Sequence, residues 1–325
     1  MSSPALKILL MCLLLTPIGA FSQRTETAVY FSEDRRRLVF EIENDLLFQT
    51  DSYYTAGIAI SFTHKGLKKS PAQLMLNLFG KKNCGIAGFG LQQRIFTPYS
   101  IENPNSIAND RPYSAYLLLT NYAVHLNAKK RLLISNELGI GAMGPMAGGE
   151  EVQSFVHELL GNALPVGWDN QLNNAPLIDY HLRLEKSFFH GFVAEHFIPF
   201  TEVRVGTLTD RVKFGLKMRF GNKSQSMLDW ANSRTTNHKF IWEWILSANL
   251  QGVFYDATLQ GGVLNKDETI ALPRQDVIEQ QYQVRMGINF YVDCFSFRYM
   301  VKLNSSDFVN AVVHRYGSVN LSFSF

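Results

Sequence analysis

The stretch DRVKFGLKMRF, residues 210 to 220, alternates strictly. Val212, Phe214, Leu216, Met218 and Phe220 fall on one face of an extended chain, and Arg211, Lys213, Lys217 and Arg219 on the other. The same split recurs in IDYHLRLEK, where Ile178, Tyr180, Leu182 and Leu184 oppose Asp179, His181, Arg183 and Glu185, and again in YQVRMGINFYV and FSFRYMVKL. Runs of about 10 to 14 residues with one apolar and one charged face have the length of tilted strands crossing a bilayer. A soluble sandwich also alternates, but with shorter strands around a two-sheet core. Beyond the N-terminal segment no stretch qualifies as a spanning helix, so a closed barrel is the way this chain could span a membrane.

The pattern predicts twelve strands, at 38–44, 54–65, 86–98, 113–126, 131–142, 178–189, 193–207, 210–222, 240–254, 281–292, 294–304 and 313–325. The expected fold is all-β, an antiparallel transmembrane β-barrel over residues 23–325, with a short α-helix around 148–161 in an extracellular loop. With both termini in the periplasm, DLLFQTDSY, TPYSIENPNSIANDRPYS, the 143–177 segment, GTLT, 256–280 and SSDFVN face outward. The inward turns LNAKK, FFHG and YVDC are short, whereas 66–85 and 223–238 are longer than such turns usually are. The chain ends in SVNLSFSF, with Val319, Leu321, Phe323 and Phe325 on one face. That ending resembles the last-strand signal read by the barrel-insertion machinery.

Composition adds the compartment. Lys7 precedes the apolar run ILLMCLLL, followed by Pro17 and Gly19, and Ala20 and Ser22 occupy the small-residue places before Gln23. Residues 1–22 therefore read as a secretory signal, and the mature chain as exported. Cys12 leaves with the signal, and Cys84 and Cys294 fall on strands that are not neighbours, so no bridge is expected. The net charge of +3 is small and dispersed, which gives no argument for a nucleic-acid partner. Local basic clusters, HKGLKK and GKKN, read as solvated turns or as neighbours of phosphate-bearing lipid.

The polar clusters of three separate segments converge on the outward end: ENDLLFQTDSYYTAG, NDRPYSA and EEVQSFVHELLG with GWDNQL. In AGGEEVQSFVHELLG, Val152, Phe155, Val156 and Leu159 form a helical stripe expected to lie on the barrel wall, flanked by Gln153 and His157. A neutral imidazole is suited to take a proton from water near neutral pH, though a lone histidine is more often a surface or packing residue. Asn44, Asp45, Thr50, Asp51 and Thr55 bring together hard oxygen ligands of the kind calcium prefers, and are equally ordinary turn residues. No GxSxG elbow and no HExxH helix is present, so neither a serine hydrolase nor a zinc protease has a motif behind it.

Taken together, FEIENDLLFQTDSYYTAG, NDRPYSA, GPMAGGEEVQSFVHELLG and GWDNQL resemble the outer-membrane lipid A 3'-O-deacylase family over about the first half of the mature chain. The resemblance implies a twelve-stranded barrel of the Gram-negative outer membrane, its active site between the outer wall and a loop helix on the extracellular side. It also implies a calcium-dependent ester hydrolase that removes the 3'-linked acyloxyacyl chain of lipid A. By motif, His157 is the water-activating base, with Gln153 one turn before it. Asn44, Asp45 and Thr55 complete the catalytic set and are the calcium ligands. The family's lysine in the second outer loop is missing, and Arg111 is the nearest base for substrate binding. Ala163 stands where a glutamate is found six residues past the histidine, and Met146 where an acid can stand. The expected partners are lipid A, the bilayer and the insertion machinery, for a chain acting as a monomer. A non-catalytic barrel, structural or a narrow pore, and a glycerophospholipid esterase are the other readings of the same scaffold.

Overall fold

Twelve antiparallel strands close into a barrel in the computed structural model. It describes residues 36–45, 52–76, 84–102, 110–127, 129–187, 197–221, 240–265 and 269–325. The strands are β1 (Arg37–Asn44), β2 (Tyr53–Thr63), β3 (Cys84–Thr97), β4 (Ser114–Asn127), β5 (Leu132–Met143), β6 (Ala175–Lys186), β7 (Phe197–Gly206), β8 (Thr209–Gly221), β9 (Ile241–Asp256), β10 (Gln280–Val292), β11 (Phe295–Asn304) and β12 (His314–Ser324). Each pairs with its neighbours in sequence, and β1 closes on β12 from Arg37 opposite Ser324 to Asn44 opposite Gly317. The signal segment 1–22, Thr50, Asp51, the FFHG turn and 223–238 lie outside the described residues.

Alternation sorts the side chains as the sequence requires. Leu119, Ile140, Phe214, Leu250 and Met286 project from the outer surface, where hydrocarbon and not water surrounds them. The inner face is charged and buried. Arg183 bridges Glu185 at 2.8 Å and Glu202 at 3.1 Å, Lys217 reaches Glu185 at 2.5 Å, and Arg219 reaches Glu243 at 2.6 Å. Packed ion pairs of this kind close the lumen below its outer end, where a charge away from water is stabilised by a partner. No helix among the described residues is long and apolar enough to cross a membrane.

Two helices dress the outer wall. The first, α1 (Pro71–Leu76), explains the long 66–85 connection. Asn121 and Asn136 lie on the outward face of β4 and β5, where lipid could not satisfy them. The α1 backbone meets one end of each: the Ala72 N–H donates to Asn121 Oδ1 at 2.8 Å, and Asn136 Nδ2 donates to the Ala72 carbonyl at 2.9 Å. The second, α2 (Gly149–Leu160), joins β5 to β6, as the sequence places it. A one-turn helix, α3 (Ala257–Gln260), follows β9. Its Leu259 joins Tyr53, Leu272, Val277 and Phe308 in an apolar cluster at the outer end of the barrel. Cys294 is a free, exposed thiol.

Candidate active site

The N-terminus of α2 is pressed against the outer wall at β3 and β4. Gln93, on the outward face of β3, donates from Nε2 to the carbonyls of Ala147 at 2.6 Å and Gly148 at 3.1 Å. A Cβ on Gly149 would come within 2.4 Å of the Ala115 Cβ and 2.8 Å of the Trp168 ring, so only glycine allows this approach. Beside it Ile95, Tyr113, Ala115, Ala147 and Trp168 form a buried cluster, with Ala56, Leu117 and Val152 packed on it.

The expectation that an apolar stripe would face the wall is corrected here. The buried residues of α2 are Gly149, Gln153 and His157, one turn apart along a single face. Phe155 is 63 % exposed, and of the stripe only Val152 packs on the wall cluster. The physical reason is the solvent. Phe155 shares its exposed side with Glu151 and Glu158, so this side of α2 meets the membrane interface, where lipid can take the ring and water the carboxylates, and turning inward gains Phe155 little.

The two inward side chains are held individually. Trp168 Nε1 donates to Gln153 Oε1 at 2.9 Å. The indole is itself fixed by the Tyr113 ring, whose centroid lies 4.8 Å away, and the Tyr113 hydroxyl donates to the Val166 carbonyl at 2.7 Å. His157 is held by chain reversal. Gly161 ends α2 at φ 74°, its N–H closing on the carbonyls of Glu158 and His157. The returning chain then sets the Ala163 carbonyl 2.5 Å from His157 Nδ1. A carbonyl only accepts, so Nδ1 carries the proton and Nε2 is the basic nitrogen of the neutral ring.

The wall supplies oxygens. β2 pairs with β3 through a bulge between Tyr54 and Ala56, which inserts Thr55 as an extra residue. Tyr54 stays inside, near Glu43, while the Thr55 hydroxyl meets that of Thr97, on the outward face of β3, at 2.7 Å. Asn44, on the outward face of β1, donates from Nδ2 to the Thr55 carbonyl at 3.0 Å. Asp45 is buried just past the end of β1, and its Oδ2 accepts the Ser52 N–H at 3.0 Å. Asn44, Asp45 and Thr55 thus gather at the outer ends of β1 and β2. Gln153 and His157 descend on the adjacent outward face of β3 and β4, where Thr97 lies two residues beyond Ile95. Thr97 was missed from sequence, because nothing in the alternation of β3 marks it.

The family model that matches the chain is described as Outer membrane protein LpxR, and the match runs over residues 8–325. The chain belongs to the LpxR family. Among solved structures, LpxR from Salmonella typhimurium matches with a TM-score of 0.71 at 20 % identity, covering 89 % of this chain and 100 % of that one. This likeness is one of fold. The beta domain of the Bordetella autotransporter BrkA matches at a TM-score of 0.44 and 9 % identity, covering 90 % of this chain and 98 % of its own. The translocator domain of NalP from Neisseria meningitidis matches at 0.39 and 8 %, covering 93 % of each. No curated protein matches the sequence.

Membership in the LpxR family places the chain in the Gram-negative outer membrane as a lipid A deacylase, an ester hydrolase in kind. Three positions that depart from the family pattern can now be located. Ala163 serves His157 through its backbone carbonyl, so no acidic side chain is needed for that contact. Met146 is 70 % exposed on the outer surface. Arg111, the expected substrate-binding base, is turned into the lumen and not toward α2. There it pairs with Asp307, donates to Thr258 Oγ1 at 2.6 Å, and lies 4.3 Å from the centre of the Phe96 ring. As a calcium site the wall residues are of the right chemistry, hard neutral oxygens from Asn44, Thr55 and Thr97 beside the buried carboxylate of Asp45. Among the described residues no group of three or more His, Cys, Asp or Glu could hold a metal ion, so the fit rests on amide and hydroxyl oxygens around one carboxylate.

Proposed function

We propose that this chain hydrolyses the 3'-linked acyloxyacyl ester of lipid A in the outer leaflet, with His157 as general base. One observation carries the reading: His157 is buried on the wall-facing side of α2, with Nδ1 committed to the Ala163 carbonyl at 2.5 Å. In that state Nε2 takes a proton from water as the water attacks the ester carbonyl, and returns it to the departing sugar oxygen. Gln153 accepts the Trp168 Nε1–H at its carbonyl oxygen, which fixes the orientation of its amide one turn before His157. The substrate reaches this site sideways from the membrane, since α2 and the wall residues lie on the lipid side of the barrel.

Asn44, Asp45, Thr55 and Thr97 would hold calcium beside the ester. When bound, the ion supplies Lewis-acid polarisation of the carbonyl and charge stabilisation of the oxyanion. The packed charges of the lumen weigh against a pore. Mass spectrometry of lipid A from cells expressing the wild type and His157→Gln tests the proposal. The variant should fold and insert, and lose about 10²- to 10⁴-fold in rate, the usual contribution of a general base. Undiminished loss of the 3' chain in the variant would sink it. Release of lysophospholipid with lipid A intact would point to the glycerophospholipid reading instead.

A further inference from the structure

The same strands that carry the lipid-facing site line a second space on their other face. Glu43, Tyr54 and Phe96 adjoin Asn44, Thr55 and Thr97 in sequence but point inward, and all three border a luminal cavity of about 210 Å³ at the outer end of the barrel. Seven cationic side chains line it, from Arg94 on β3 to Lys302 on β11, against three carboxylates, Glu43, Asp256 and Asp307.

Carboxylates behind the lining do not restore the balance contact by contact. Asp179 holds Arg204. Glu202 is shared: its Oε2 binds Arg183 at 3.1 Å, while Oε1 faces His181 at 3.3 Å, Lys213 at 3.6 Å and Arg211 at 3.7 Å. Arg94 Nη1 comes only to 3.5 Å from Glu43. Among the described residues, Arg94 Nη1, Arg211 Nε and both amide atoms of Gln92 are buried without a hydrogen-bond partner. Gln92 is 1 % and Arg94 6 % exposed. The Arg211 side chain is 23 % exposed toward the cavity, and a guanidinium donor that is buried and unspent, as on Arg94, is costly unless an acceptor of opposite charge joins it.

We infer that this cavity binds a phosphate group, inorganic or carried on a sugar, between Arg94, Arg211 and Lys213. A phosphate is the anion that suits it: up to two negative charges and three strong acceptor oxygens match planar, multi-donor arginines and an ammonium with surplus donors. The site is distinct from the ester-cleaving one, being across the barrel wall from His157.

The test is calorimetric titration of the full chain in detergent micelles with inorganic phosphate, with glucose 1-phosphate, and with chloride at matched ionic strength. Saturable binding of inorganic phosphate supports the proposal with the free anion as ligand. Binding of glucose 1-phosphate alone supports it with a sugar-linked phosphate. The double variant Arg211→Gln, Lys213→Gln should weaken binding about tenfold or more, as expected when charge-assisted hydrogen bonds are lost, and Lys213→Gln alone serves if the double variant does not insert. His157→Gln should bind as the wild type does, so failure of the catalytic proposal leaves this result standing. Failure of the wild type to bind either inorganic phosphate or glucose 1-phosphate, binding of both no stronger than chloride, or equal affinity in the luminal variants would overturn it.

Discussion

Nδ1 of His157 lies 2.5 Å from the carbonyl oxygen of Ala163, and the left-handed backbone of Gly161 is what returns the chain to make that contact. A side chain at φ 74° costs roughly 1–2 kcal/mol for an L-residue. If the reversal must be paid for out of His157's positioning, Gly161→Val should slow deacylation about 5- to 30-fold, since each 1.36 kcal/mol is a factor of ten. The lumen, untouched by the change, should leave the barrel's resistance to heating in SDS as it was. Ala163→Ser should stay near wild-type rate, because the backbone makes the contact. A Gly161→Val enzyme as fast as wild type would show that the reversal does not orient the base.

Trp168 acts on the other inward residue. Its indole N–H to Gln153 Oε1, at 2.9 Å, fixes which end of the amide faces the site. Trp168→Phe keeps a ring against Tyr113 and deletes only the donor, a loss of about 1–3 kcal/mol for a buried acceptor left unsatisfied. We expect kcat to fall about tenfold with KM nearly unchanged, while Trp168→Ala also loosens the loop. Steady-state kinetics on purified lipid A in micelles separates the two.

Thr97 has no motif to recommend it, and is implicated by its hydroxyl contact with Thr55 at 2.7 Å. Thr97→Val keeps the shape and removes the oxygen, so the calcium concentration giving half-maximal deacylation should rise, and Thr97→Ser should restore it. A calcium titration identical in all three proteins would remove Thr97 from the site.

The contrast between Thr97 and His157 shows where the sequence was readable. Strands such as β8 announce themselves, because lipid on one side and a charged lumen on the other impose opposite demands on Phe214 and Lys213. The helix and its Gln153–His157 pair were equally legible from spacing. The direction α2 faces was not, because the rule that apolar side chains turn inward weakens at a membrane interface, where Phe155 can meet lipid while Glu151 and Glu158 on the same side meet water. The bulge at Thr55 was invisible for a different reason. An extra residue shifts the phase of alternation locally, and the Thr55–Thr97 pairing depends on register between two strands rather than on either one. Arg111 turns into the lumen and not toward α2, because proximity in sequence to the outer loops does not say which side of the wall a residue near the rim will take.

Asp45 is the one buried carboxylate of the wall set. Chelation with EGTA should therefore stop deacylation, and added calcium should restore it, with the barrel folded throughout, since the ion pairs of the lumen such as Arg219–Glu243 need no metal. Asp45→Asn should shift the calcium requirement upward by about tenfold or more, as expected when a site loses a carboxylate, here the one carboxylate of the wall set among the described residues. Activity that survives chelation in the wild type would show that no bound calcium is required.

Phe155 and Phe214 are exposed to similar extents, 63 % and 62 %, but at different heights on the barrel. Phe214 stands near the middle of β8, whereas Phe155 sits on α2, beside the outer ends of β3 and β4. Arginine on a lipid-facing surface costs about 2–4 kcal/mol at the bilayer midplane and about 0–1 near the interface. Phe214→Arg should accordingly destabilise the barrel by a few times more than Phe155→Arg, measured by reversible denaturant unfolding in lipid vesicles. Phe155→Arg should instead act on the enzyme: a cation beside the approach to His157 leaves folding nearly unchanged and alters KM for lipid A. Equal destabilisation by the two variants would place α2 deep in the hydrocarbon, and the ester-cleaving site with it, below the level at which lipid A carries its sugar-linked esters.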